Sequence, residues 1–302
     1  SGGSAPYVGP PSCAELAATC GANADEDCCA AGLVEGGTFH RDNHNDDEAY
    51  AATVSSFHLD RFEITVGRFR KFVEAYPGSK PAAGDGAHPK IPDSGWLQIW
   101  NTLLPATQEE LIASLSEPCG ETPMRTWTDT PGAQERKPMN CIKWFEAFAF
   151  CAWDGGRLPT EAEWNLAAAA GSEQRVYPWG TNEDEIDSTY AVYNCVGDGS
   201  TADNCQFSDI LPVGSRSPKG DGKWGQADLA GSVWEFVRDS SDSDYPVPCN
   251  DCALIEIDGA RRARGGAWNA IQYNVTTDYY TWIDPAGRFF DVGARCARDV
   301  SP

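Results

Sequence analysis

Apolar and polar positions alternate across Ala52-Thr-Val-Ser-Ser-Phe-His-Leu-Asp60, and with Gly36-Gly-Thr-Phe39 they predict two strands, with the alternation clearest over 53–59. A helical period follows in Glu63-Ile-Thr-Val-Gly-Arg-Phe-Arg-Lys-Phe-Val73. There Phe69, Phe72 and Val73 share a face, and Thr65 is placed as the N-cap. Pro138-Met-Asn-Cys-Ile-Lys-Trp144 leads into a second helix through about 153, with Trp144, Phe148 and Cys151 on one face. Leu158-Pro-Thr-Glu-Ala-Glu-Trp164 opens a third. Thr160, with Glu163 three residues on, forms a capping box worth about 1 kcal/mol. These carboxylates are therefore a helix-start signal rather than a catalytic pair.

Between the first two helices, residues 77–138 are rich in Pro, Gly and charge. They read as a long insertion with one short helix near 107–116, and loops of this length are usually functional or partly disordered. After Tyr177-Pro-Trp-Gly180, glycines at 197, 199, 214, 220, 222 and 225 exclude long helices and leave turns and short strands. No internal repeat is visible. Low complexity is confined to the first eleven residues and to Ser240-Ser-Asp-Ser-Asp244. Residues 1–12 read as a flexible tether, the start of a processed, exported chain able to hang from a lipid anchor. Residues 13–32 read as a small cap and 33–302 as the main domain.

Composition narrows the function. A net charge of -22 repels phosphate backbones and anionic lipid, which excludes nucleic acid as a partner and leaves calcium, basic proteins and neutral glycans. No apolar run is long enough to span a membrane. Twelve cysteines without a repeated zinc-ligand spacing place the chain in an oxidising compartment. Cys13, Cys20, Cys28 and Cys29 staple the cap in an order that spacing leaves open, and Cys119 and Cys141 bracket the second half of the insertion. Cys249-Asn-Asp-Cys252 follows Pro246-Val-Pro248 in a loop, which favours a tight local disulfide over a redox motif at a helix N-terminus. His40 and His44 with Asp42, Asp46 and Asp47 read as a solvated loop rather than a metal cluster.

Four blocks carry a resemblance: Gly155-Gly-Arg-Leu-Pro-Thr-Glu-Ala-Glu-Trp164, Asp228-Leu-Ala-Gly-Ser-Val-Trp-Glu-Phe236, Arg264-Gly-Gly-Ala-Trp268 and Gly293-Ala-Arg-Cys296. Together they resemble the formylglycine-generating enzyme (sulfatase-modifying factor) family, from about residue 63 to 299. The resemblance implies an α+β, C-type-lectin-like fold that is loop-rich. In the active enzymes two cysteines after the Arg-Gly-Gly block bind copper(I) and oxidise a substrate cysteine, and the matching positions here are Ala270 and Val275.

Residue-by-residue matching also implies a calcium site from Asp228, the carbonyls of Gly231 and Val233, and Glu235. Its hard oxygens suit Ca²⁺, and Ser232 stands where the family often has Asn. A second family calcium site would use Asn194 and the carbonyls of Cys195 and Phe207, but its acid falls on Cys205. A Cys195–Cys205 disulfide would then close that loop in place of the cation, leaving Asp198 and Asp203 as weak ligands at most. Cys151 and Cys296 match a family disulfide, whereas the family's other pair falls on Ala168 and Tyr280.

Aromatic and amide side chains mix without a hydrophobic period over 267–291, where the family places its chemistry. Such mixtures suit recognition, so Trp268, Asn269, Tyr273, Asp278, Tyr280 and Trp282 are the expected ligand contacts. The expectation is a secreted or surface-anchored, calcium-stabilised binding protein on a non-catalytic scaffold, with a protein, peptide or glycan ligand. Two alternatives remain. One is an extracytoplasmic tailoring oxidase using Asp278, Asp284 or Asp291. The other is a hypervariable ligand-binding receptor of the diversity-generating type.

Overall fold

The structure, a computed structural model, describes residues 9–44, 47–120, 124–182, 186–200, 204–240, 245–256 and 258–300. Most of the expected tether, with Asp46, Asp203 and 241–244, lies outside them. The run Ala52–Asp60 is two strands rather than one. β3 (Ala51–Val54) pairs antiparallel with β2 (Gly37–His40), whereas β4 (Phe57–Asp60) pairs antiparallel with β1 (Ala31–Val34) in a different sheet. The chain breaks at Ser55 and Ser56, whose side chains leave the alternation to bind backbone and loop. Ser55 donates through its N–H and hydroxyl to Asp251 (2.6 and 2.8 Å), and Ser56 Oγ accepts from Gly36 N (3.0 Å).

α1 (Val66–Glu74) starts where its cap dictates, with Thr65 Oγ1 accepting from Arg68 N at 3.2 Å. Phe69, Phe72 and Val73 are buried, and Phe69 stacks on Phe150 of α3 (Trp144–Trp153) at 5.7 Å. α2 (Gln108–Ser116) is the short helix of the insertion. The insertion is not loose. Trp96, Trp100, Leu111, Leu115 and Trp127 all enter the main core, where Trp100 meets Trp144 edge-on at 5.3 Å and Trp96 packs on Phe148 at 5.5 Å. This cover is why α3 is buried on every side from Trp144 through Cys151, not on the single face its spacing predicts.

α4 (Glu161–Ala168) carries the capping box in full. Thr160 Oγ1 accepts from Glu163 N (3.1 Å), and Glu163 Oε2 accepts from Thr160 N (2.8 Å). A four-stranded sheet lies beyond it, built from β5 (Trp234–Ser240), β7 (Arg261–Arg264), β8 (Tyr280–Ile283) and β9 (Val292–Gly293) in the order β8-β7-β5-β9. β6 (Cys249–Asn250) joins β3 in parallel, and β10 (Ala297–Asp299) closes the sheet of β1 and β4. Among the described residues, three small sheets and four α-helices give the α+β architecture.

All twelve cysteines are bridged: Cys119–Cys141, Cys151–Cys296, Cys195–Cys205 and Cys249–Cys252 are joined by the nested Cys13–Cys29 and Cys20–Cys28. The cap is fastened to the domain through buried Ser12. Its N–H donates to Asp154 (2.9 Å), and its hydroxyl accepts from Arg68 Nε (3.0 Å). Arg68 also pairs with Asp60 and Asp154, so one guanidinium ties cap, β4 and the end of α3 together. β1 itself runs across residue 33. Among the described residues no helix is long and apolar enough to cross a membrane.

Candidate functional site

The segment from Asp228 to Glu235 is a bend of unusual backbone. Asp228, Gly231 and Ser232 all have positive φ (58°, 81° and 62°). A Cβ at Gly231 would stand 2.2 Å from the Val192 carbonyl oxygen, so only glycine fits there. The bend delivers Asp228 and Glu235 into the protein interior, where a third acid meets them. Glu63 accepts from Ser232 Oγ (3.0 Å) and Val233 N (3.2 Å). Ser232, where the family often has Asn, thus serves as a donor to Glu63. Sequence reasoning missed Glu63. Its only local signal is an acid two residues ahead of a helix cap.

Three buried carboxylates face one guanidinium. Arg295 binds both oxygens of Glu235, Nη2 to Oε1 at 2.6 Å and Nε to Oε2 at 2.7 Å, while Trp164 Nε1 donates to Oε2 at 2.7 Å. Asp228 accepts from Gly214 N. Burial, reinforced by Asp228 and Glu235, holds the Glu63 carboxyl well above the usual range, and burial pushes Asp228 up to about 6. Charge alone suits a cation here, because an excess of buried negative charge needs either protons or a metal. No cluster of three or more His, Cys, Asp or Glu side chains converges as a metal cage among the described residues. The expected set, however, holds only two side chains and draws its other ligands from carbonyls. Glu235 retains one spare lone pair, on Oε1, beyond those given to Arg295 and Trp164. The donor set therefore fits a hard cation, with Glu63 as an added neighbour.

The two positions that the resemblance matches to the active enzymes' cysteines, Ala270 and Val275, are apolar. Val275 is fully buried with Tyr177, Ala191 and Ala230, and Ala270 packs against the same cluster. Gly266 (φ 73°) backs this arrangement, since a Cβ there would fall 2.5 Å from Val275 Cγ1.

The six expected ligand residues do not form one surface. Trp268 is a core residue with 1% exposure, because it packs at 5.9 Å from Phe290. With Asn269, Met124 and the Cys195–Cys205 bridge it borders a cavity of about 370 Å³. Tyr273 and Asp278 share a larger cavity of about 650 Å³ with Asn43, Tyr177, Ile271 and Gln272. Trp282, 65% exposed, stands over a separate hollow of about 230 Å³ with Asp284 and Asp291. Tyr280 lines none of these. It lies under the Arg262 and Arg264 guanidiniums, 4.6 and 5.2 Å from its ring centroid.

The chain matches the model of the sulfatase-modifying factor enzyme 1-like domain over residues 17–300. It belongs to that family. A mouse relative, inactive C-alpha-formylglycine-generating enzyme 2, is 32% identical over 229 residues, covering 73% of this chain and 66% of its own length. The formylglycine-generating enzyme of Thermomonospora curvata is 27% identical over 307 residues, 88% of this chain and 92% of that one. The chain thus spans just under two thirds of the mouse relative and most of the bacterial one. Among solved structures, PvdO from Pseudomonas aeruginosa shares the fold with a TM-score of 0.57 at 20% identity, covering 89% of this chain and 93% of that chain.

Within this family fold, two of the remaining candidates prove structural. Asp42 is not solvated but buried, with its carboxylate accepting from Arg264 at 2.6 Å, while His44 stacks on Tyr50 at 4.0 Å. Arg264 of the Arg-Gly-Gly block also pairs with Glu161, so two of the family blocks are joined by a buried ion pair. Cys249 and Cys252 form their local bridge beside β6.

Proposed function

We propose that this sulfatase-modifying factor family member is a non-catalytic binding protein, stabilised by calcium and acting in an oxidising, extracytoplasmic space, secreted or held at a surface. One observation carries the reading: Ala270 and Val275 stand where the active enzymes' cysteines fall. Val275 is sealed in an apolar cluster. All twelve cysteines are already paired, so no thiolate remains to bind copper(I). Six bridges also favour a compartment where thiols are oxidised. Calcium would be held by Asp228, the Gly231 and Val233 carbonyls and Glu235, with Glu63 beside them. Its role there is to neutralise buried charge and fix the bend.

The test is incubation of the calcium-loaded chain with a cysteine-containing sulfatase peptide, copper(I) and oxygen, read by mass spectrometry. The peptide mass should stay unchanged. A mass loss corresponding to formylglycine overturns the reading. The Ala270→Cys/Val275→Cys variant should gain copper(I) affinity over the parent chain.

The tailoring-oxidase reading has one observation in its favour. Burial raises the Asp291 carboxyl above its ordinary value, and Asp291 accepts from Asn269 Nδ2 at 3.3 Å beside the hollow under Trp282. Turnover abolished by Asp291→Asn in a screen of oxidisable peptides would move the assignment to it.

A further inference from the structure

The cap is too short for a core of its own, and it borrows one from the domain. Its inner bridge, Cys20–Cys28, is buried in a small apolar cluster whose other members are Phe62, Val213 and Ala227, with Leu16 packed beside it. Each of those three domain residues immediately precedes a group at the proposed calcium site. Phe62 precedes Glu63, and Ala227 precedes Asp228. Val213 precedes Gly214, whose N–H donates to the Asp228 carboxylate.

At Gly214 the cap and the domain meet backbone to backbone. Gly214 has φ 72°, and a Cβ there would stand 2.4 Å from Phe62 Cε1 and 2.8 Å from Gly21 Cα, so no side chain fits between the turn and the cap. Arg136 joins the same two elements. Its Nη2 donates to the Gly21 carbonyl (3.3 Å), and its own carbonyl accepts from Val213 N (2.9 Å). A second link runs through Glu26, whose carboxylate pairs with Arg61 Nε at 2.9 Å. The Arg61 carbonyl in turn accepts from Ala227 N (2.8 Å) and Arg295 Nη1 (3.1 Å). Glu26 is itself held to Cys20 by two backbone hydrogen bonds of 3.0 Å, inside the loop that the inner bridge closes.

We propose that the cap is a clasp on the calcium site: it holds the Val213–Gly214 turn against Asp228 and so keeps that carboxylate oriented for the cation. The proposal rests on the calcium reading and names the part of the chain that retains the ion. A carboxylate free to rotate must be ordered before it can ligate, and a site of two side chains and two carbonyls loses affinity when one ligand carries that cost. The Gly214 N–H removes the freedom at Asp228. The turn that presents this N–H is irregular backbone, fixed from outside by Gly21, Phe62 and Arg136.

Calorimetry of calcium binding to the full chain and three variants tests this. Cys20→Ala/Cys28→Ala opens the inner bridge and leaves Cys13–Cys29 closed. Arg136→Leu keeps both cap bridges and deletes the donor to Gly21. Cys249→Ala/Cys252→Ala removes a bridge elsewhere. The first should bind calcium about 10-fold more weakly than the parent, the scale of one hydrogen bond to a charged group, and Arg136→Leu should move the same way by less. The third should match the parent. Amide exchange on the calcium-free chains reads the clasp without the ion: the Gly214 N–H should exchange faster in the first two variants and at the parental rate in the third. Parental calcium affinity in both clasp variants, or parental Gly214 exchange in both, overturns the proposal. Where Cys20→Ala/Cys28→Ala fails to fold, Arg136→Leu alone decides it. A parent chain that binds no calcium overturns the calcium reading and the clasp together.

Discussion

Arg295 and Glu235 form a two-point ion pair with both side chains fully withdrawn from solvent. Arg295 also donates to the carbonyls of Asp60 (3.2 Å), Arg61 (3.1 Å) and Ala227 (2.8 Å), so the last family block anchors the Asp228–Glu235 bend, β4 and the loop after it in one step. A buried pair is weak evidence for net stability, because desolvation offsets attraction. Removing one partner is nonetheless severe.

Arg295→Met should therefore destabilise the chain by about 3–5 kcal/mol, leaving Glu235 without its cation and removing the guanidinium from the Asp60 and Ala227 carbonyls. Urea denaturation at neutral pH measures it. The double variant Arg295→Met/Glu235→Leu should lose less than Arg295→Met alone. If it loses more, the uncompensated charge is not the cause.

Calcium should act through the same region. A ligand that binds only the folded chain at a hundredfold excess over Kd adds about 2.7 kcal/mol. Chelator should accordingly lower the melting temperature, and added calcium should restore it. In Asp228→Ala both responses should vanish. A wild-type melting curve that ignores both reagents would remove calcium from the account.

How much of this was readable beforehand differs by the range of the interactions. The caps at Thr65 and Thr160 were legible because a cap is settled within four residues, and both helices begin where those residues predict. The alternation over 52–60 was legible but its division was not. The break depends on Asp251, 196 residues from Ser55. The insertion's polar composition concealed Trp96 and Trp100, whose burial depends on the face that α3 offers them. At the site, matching to family blocks found Asp228 and Glu235. Glu63 lies outside those blocks and reaches Ser232 over 169 residues. Trp268 and Tyr273 looked alike as ligand aromatics, and only packing separates a core ring from an exposed one.

Acid should expose the capping box. Burial disfavours the Glu163 carboxylate, but the Arg157 guanidinium at 2.6 Å to each oxygen, aided by His88, outweighs it and lowers the pKa to about 2. A depressed carboxyl pKa contributes stability that is present above its unfolded value of about 4.3 and is lost as pH falls through about 2. The metal-free chain should lose stability across that window, and Glu163→Gln should flatten this part of the profile while lowering stability at pH 7. Denaturation at stepped pH decides it. An unchanged slope in the variant would assign the acid limb to other carboxylates.

The disulfides offer a comparison within one molecule. Cys151–Cys296 spans a sequence separation of 145 residues, whereas Cys249–Cys252 spans 3. In the chain-entropy model the longer loop restricts the unfolded state more, giving up to about 5 kcal/mol against about 1.6 kcal/mol. Cys151→Ala/Cys296→Ala should thus cost several times more than Cys249→Ala/Cys252→Ala in non-reducing urea denaturation. Part of the first loss will be packing, since both sulfurs are fully buried in the core and each truncation leaves a small void. Cys151→Ser/Cys296→Ser separates the contributions by filling more of that volume with a polar atom. It should be no more stable than the alanine variant, because buried hydroxyls need partners. If the short-loop variant instead loses as much as the long-loop one, loop entropy is not what these bridges contribute. Their role would then be to hold native geometry around α3 and β6.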